Sequence, residues 1–120
     1  MNWHNINPIK IKNVKDFEIN ILKKLTFIKD LDKTCISTSF SHIFQGGYSA
    51  GYYSYKWAEV LDADAFEYFK EKGIFNKSIA SKFKNNILSK GGTENPMDLY
   101  IKFRGRKPSI NALLNRAGIS

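Results

Sequence analysis

The chain has 120 residues, carries 19 Lys and Arg against 11 Asp and Glu, and has a formal net charge of +8. That length suits one domain or a piece of a larger one, and a hydrophobic fraction of 42% is enough for a small core. The single cysteine, Cys35, excludes an internal disulfide and a cysteine-based zinc site.

Residues 1–13, with Trp3, His4 and Pro8, read as an irregular or extended lead-in. Over residues 14–28, Val14, Phe17, Ile21, Leu25 and Ile28 recur at spacings of three and four. This is one apolar stripe of a helix, with Asn13 as its N-cap and Lys15, Glu18, Lys23 and Lys24 mostly on the other faces. Residues 29–41 are polar and read as a loop or short extended piece. A long second helix is predicted from Tyr52 to Lys72, ending at Gly73, with Tyr53, Trp57, Val60, Leu61, Ala65, Tyr68 and Phe69 on a wide apolar face. Asn76 caps a third helix with the stripe Ile79, Ala80, Phe83, Ile87 and Leu88. Asn95-Pro96 starts a fourth, ended by Gly105, and Pro108-Ser109 opens a last one, ended by Gly118. The expected fold class is all-α with about five helices. Its organisation is a lead-in and first helix over 1–39, a glycine–tyrosine loop and helix start over 40–57, and a helical remainder over 58–120.

The stretch Phe40 to Trp57, F-S-H-I-F-Q-G-G-Y-S-A-G-Y-Y-S-Y-K-W, concentrates the candidate chemistry. It holds His42, the Gly46-Gly47 hinge and the phenols of Tyr48, Tyr52 and Tyr55. Neutral phenols and an imidazole N–H suit a developing oxyanion, a carboxylate or a peptide carbonyl. Glycines let such a loop close on a ligand and reopen. Spacing alone leaves two readings open, a ligand-binding constellation and aromatic packing at a helix start. No metal motif completes a hydrolytic site, because His4 and His42 are the only histidines and neither is followed by Glu.

The same stretch, continued as A-E-V-L-D-A-D-A-F, closely resembles the C-terminal part of the thimet oligopeptidase family of zinc metallopeptidases. G-I-F-N, I-L-S-K-G-G-T-E-N-P-M-D-L-Y, F-R-G-R-K-P and L-L-N-R-A-G-I extend the likeness, which is nearest to the bacterial peptidyl-dipeptidase and oligopeptidase A branches. The resemblance implies a C-terminal piece of a large, mostly helical clamshell. Its zinc would be held by an H-E-x-x-H motif and a further Glu, all upstream of the matched region, so that the full-length enzyme holds zinc and this chain alone holds none. By position, the resemblance makes Tyr48 and Tyr55 transition-state stabilisers, and His42, Tyr52, Gly46 and Gly47 substrate-binding residues. One departure stands out. Peptidyl-dipeptidases tend to carry an R-Y-R-S-T pattern before the loop, where this chain has Thr34, Cys35, Ile36, Ser37 and Thr38, without arginine.

The resulting expectation is the C-terminal segment of a zinc-dependent peptidase acting on short peptides, inactive by itself. Its expected partners are a peptide substrate and the upstream part of the same enzyme, with self-association of the isolated piece over its exposed apolar face. The rivals are a basic helical module that binds nucleic acid and a helical domain that docks a protein. The charge motivates the first, but the longest basic run is only Arg104-Gly105-Arg106-Lys107 and the other lysines are scattered, so no nucleic-acid partner is expected. No apolar run is long enough to span a bilayer and no charged-then-apolar leader opens the chain, so no membrane partner is expected and the cytoplasm is the expected compartment.

Overall fold

The computed structural model describes residues 2–25 and 34–119. All of their regular structure is helical, with no strand among them. No described helix is long and apolar enough to cross a membrane. The chain forms two compact units, the first running to Tyr53 and the second from Ser54. Their boundary falls inside the glycine–tyrosine stretch.

In the first unit, 3-10 turns at Asn2–His4 and Pro8–Lys10 precede helix α1, Val14–Leu22. The Asn13 side chain accepts the Asp16 N–H at 3.1 Å, which satisfies one of the orphan donors at the helix start. Trp3 meets Phe17 edge-on at 4.5 Å and Phe44 at 6.2 Å, so the lead-in is folded onto the unit rather than extended. The predicted apolar stripe needs three corrections. Val14 is exposed, Leu25 lies past the end of α1 and is exposed, and Glu18, placed on a polar face by periodicity, is 6% exposed. The end of the predicted helix, 26–28, lies outside the described residues. A short helix α2, Ile36–Ser39, occupies what the sequence suggested was loop or extended chain. It is followed by 3-10 turns at Ser41–Ile43 and Ser49–Gly51.

The second unit begins with α3, Ser54–Lys72, two residues later than predicted. The preceding Ser49–Gly51 turn takes the chain through a tighter 3-10 bend before the α-helix can start. Helix α4, Lys77–Phe83, is capped as expected by Asn76, whose side chain accepts from Ser78 N–H at 2.9 Å and Ile79 N–H at 3.3 Å. Its continuation, Lys84–Leu88, is a π-turn. That change of pitch breaks the 3.6-residue period, and Leu88 is exposed instead of joining the stripe. Ala80 is exposed as well. Helix α5, Pro96–Arg104, starts on Asn95 and stops at Gly105, whose φ of 84° is the left-handed conformation that glycine adopts without a Cβ clash. Helix α6, Asn111–Arg116, closes the chain against α3.

The second unit has its core where α3, α4, the π-turn and α5 meet. Ala65, Ile79, Tyr100 and Phe103 are buried, with Leu61, Tyr68, Phe69, Phe83 and Ile87 packed on them. Phe103, 1% exposed, has Phe83 at 5.2 Å and Tyr68 at 5.5 Å in edge-to-face geometry. Each such ring removed from water contributes roughly 1.5–3 kcal/mol, with a further fraction from its aromatic neighbours.

A buried ion cluster ties the helices of this unit together. Asp64 is 1% exposed. It accepts the Tyr100 hydroxyl at 2.7 Å and two guanidinium donors of Arg106, at 2.7 and 3.1 Å. Arg104 Nε stands 3.7 Å away, while the tip of that guanidinium binds Glu71 at 2.8 and 3.2 Å and lies 4.6 Å over the Tyr68 ring. Burial pushes the Asp64 carboxyl up, but Arg106, Tyr100 and Arg104 outweigh it and hold it below its usual range. The Tyr100 phenol is pushed up by burial and by Asp64.

Candidate functional site

The glycine–tyrosine stretch builds its site from the backbone outward. Gly46 and Gly47 both have positive φ, at 69° and 74°. They reverse the chain after the Ser41–Ile43 turn and return it toward His42. A Cβ on Gly46 would meet the Tyr48 ring at 3.4 Å, whereas one on Gly47 would meet nothing within 4 Å. Both glycines are therefore favoured by conformation, and a side chain at Gly46 would also touch the Tyr48 ring.

The result is a ring cluster. His42 lies 5.4 Å from Tyr48 and 5.6 Å from Tyr52, centroid to centroid. Tyr48 and Tyr52 are 6.2 Å apart, edge to face. Phe40 backs the group, 5.5 Å from His42 and 4.7 Å from Tyr52. The imidazole is exposed, Tyr48 is half-buried and Tyr52 stands at the threshold of exposure. Three of the predicted site side chains, with the two glycines that shape the loop, are thus brought together in the first unit. Tyr55 belongs to the second unit, on the first turn of α3, where it is 47% exposed. Chemically, the cluster offers hydrogen-bond donors and acceptors of modest acidity on an aromatic floor. The four side chains named, Phe40, His42, Tyr48 and Tyr52, include no carboxylate or thiol.

Sequence reading missed the support beneath this cluster. The Glu18 carboxylate accepts the Ile36 N–H at 2.8 Å and the Ser37 N–H at 2.6 Å, with the Cys35 thiol 3.7 Å away. These are the first amides of α2, the helix that delivers Phe40 and His42. Burial pushes the Glu18 carboxyl up, yet hydrogen bonds from the Ser37 side chain and from the Ser37 and Ile36 amides prevail and hold it below its ordinary value. The only sequence signal is a Glu within one turn of the apolar stripe. Its partners are backbone groups 18 and 19 residues away, which no motif announces.

Among the described residues, no group of three or more His, Cys, Asp or Glu side chains is gathered so as to hold a metal ion. His4 faces Phe44 at 6.0 Å, and His42 is held among aromatic rings. The described residues therefore gather no ligand set for a zinc centre.

The basic run at the end of α5 is not a free cationic patch. Arg104 and Arg106 both turn to Asp64. Elsewhere in the second unit, Lys56 pairs with Glu59, Lys70 with Glu67, Lys90 and Lys102 with Glu94, and Arg116 with Asp62. Much of that unit's positive charge is locally matched.

The family model described as peptidase family M3 matches residues 2–119. The chain belongs to peptidase family M3. Among M3 relatives, it is 47% identical over 116 residues to oligopeptidase A of Haemophilus influenzae, covering 97% of this chain and 17% of that protein. It is 54% identical over 106 residues to oligopeptidase A of Escherichia coli, covering 82% of this chain and 16% of that protein. Dipeptidyl carboxypeptidase of Escherichia coli is 34% identical over 126 residues, covering the whole chain and 18% of that protein. The chain spans about a sixth of the length of the curated relatives it matches. Of these three relatives, the two oligopeptidases A have the higher identities.

Proposed function

We propose that this chain is the substrate-facing C-terminal part of an M3 peptidase that hydrolyses short peptides. The observation that carries the reading is the ring cluster. His42, Tyr48 and Tyr52 are held within 5.4 to 6.2 Å of one another on a loop shaped by two positive-φ glycines, in a chain that the M3 model matches almost end to end. In this reading His42 and Tyr52 bind the peptide backbone, Gly46 and Gly47 let it approach the main chain, and Tyr48 and Tyr55 donate to the oxygen that becomes negative at the scissile carbon. The family resemblance implies zinc, which supplies Lewis-acid chemistry to peptide hydrolysis. Its ligands would come from outside these 120 residues, and the isolated chain hydrolyses no peptide.

The upstream part of the M3 polypeptide is the partner this reading needs, and the second unit has a face for it. A groove of about 440 Å³ is lined by Trp57, Leu61, Phe66, Phe69, Phe83 and Met97, among others. Trp57 and Phe66 are 45% and 50% exposed. The relatives carry about five times as much further chain as the matched segment, and an apolar helical face of that chain is the occupant we assign to the groove. The test is replacement of the matching segment of Escherichia coli oligopeptidase A by this chain. Retained hydrolysis of a short peptide supports the reading, and a folded but inactive hybrid opposes it.

A further inference from the structure

His42 sits in a 3-10 turn on a loop, which by itself would leave the imidazole free to wander. The turn continues from α2, a helix of only four residues. A helix that short cannot pay its own nucleation cost. Its buried first turn includes Ser37, 8% exposed, whose amide would lose considerable energy if left without an acceptor. The structure supplies that acceptor from elsewhere, in the Glu18 carboxylate of α1.

From Glu18 the backbone bonding runs forward to the ring cluster. Glu18 accepts from Ile36 and Ser37. Phe40 N–H donates to the Ile36 carbonyl at 2.8 Å, and Ile43 N–H to the Phe40 carbonyl at 3.3 Å. Phe44 and Gln45 both donate to the Ser41 carbonyl at 2.9 Å. Tyr48 N–H then donates to the Gln45 carbonyl at 3.3 Å, and Gly51 N–H to the Tyr48 carbonyl at 2.7 Å. The near end of the series is anchored in turn, because α1, which carries Glu18, is capped by Asn13 and held by the Trp3–Phe17 contact.

We propose that Glu18 is a positioning residue for His42 and its two tyrosines: by capping α2 it fixes the turn that carries the imidazole against Tyr48 and Tyr52. Its role here is structural: Glu18 is 6% exposed and both of its oxygens accept backbone amides of α2. The proposal rests on the reading of His42 as a peptide-binding residue, but its geometry can be tested without peptide.

The experiment is solution NMR on the full chain, comparing the unaltered protein with Glu18→Ala, Glu18→Gln and Ile21→Ala. In Glu18→Ala the Ile36 and Ser37 amides should exchange about tenfold faster or more, as for a lost charged hydrogen bond. The His42–Tyr48 and His42–Tyr52 ring contacts should vanish from the nuclear Overhauser spectrum. Glu18→Gln, which keeps one acceptor oxygen, should fall between the two, and it carries the test if the alanine variant loses the first unit. Ile21→Ala weakens the same unit without touching the carboxylate and should leave the ring contacts in place. Unchanged ring contacts in the folded Glu18 variants would overturn the proposal, as would their equal loss in Ile21→Ala. Failure of the intact chain to bind peptide, with ring contacts and Glu18 dependence preserved, would count against the peptide-binding reading alone.

Discussion

The Tyr100 hydroxyl donates to Asp64 at 2.7 Å, and that bond joins α5 to α3 at the most buried carboxylate of the second unit. Arg106 closes the same carboxylate from the other side. A buried pair of this kind adds little net stability over an apolar substitute, but breaking it by removing one partner leaves an uncompensated charge. Tyr100→Phe should therefore cost about 1–3 kcal/mol and Asp64→Ala about 3–5 kcal/mol, measured by urea unfolding at neutral pH. Equal, near-zero effects would mean that the cluster is not holding α3 to α5.

Acidification should weaken both units. Asp64 faces Tyr100, Arg106 and Arg104, the last shared with Glu71. Glu18 faces Cys35, Ser37 and the amides of α2. Both carboxyls are held below their ordinary values in the folded chain. A depressed folded-state pKa means stability that is present above the unfolded value and lost as pH falls through the folded one. Unfolding midpoints should thus be flat from pH 7 to about 5 and drop below about 4. In Asp64→Asn the acid-side slope should be reduced.

The aromatic core offers a sharp contrast. Phe103 is 1% exposed among Tyr68, Phe83 and Tyr100, whereas Phe75 is 96% exposed. Phe103→Ala should cost about 3–5 kcal/mol, and Phe75→Ala should stay within about 0.5 kcal/mol. Thermal melts of the two variants measure the difference.

The open groove between α3, α4 and α5 should govern association of the isolated chain. Sedimentation velocity should show self-association that Phe66→Asp reduces, since a charge would then sit in an apolar contact. A strictly monomeric wild-type chain would contradict the role assigned to this face.

Much of the fold could be read because local chemistry decides it. Asn13, Asn76 and Asn95 cap the helices predicted from them, and Gly105 stops α5 in the left-handed conformation its position required. The candidate loop was visible for the same reason, since a histidine, paired glycines and tyrosines stand within a few residues. What escaped depends on distant partners or on pitch. Glu18 is polar by type and buried by its bonds to backbone 18 and 19 residues away. The π-turn at Lys84–Leu88 slips the helical period, so Leu88 left the stripe. Asp64 in the middle of α3 gave no sign that Tyr100 and Arg106 would close on it.

The most direct test of the peptidase reading is Tyr55→Phe in oligopeptidase A carrying this chain as its C-terminal segment. Loss of one oxyanion donor should lower kcat by roughly ten- to a thousand-fold while the protein remains folded. A folded hybrid whose kcat is unchanged by Tyr55→Phe would contradict the role assigned to that phenol.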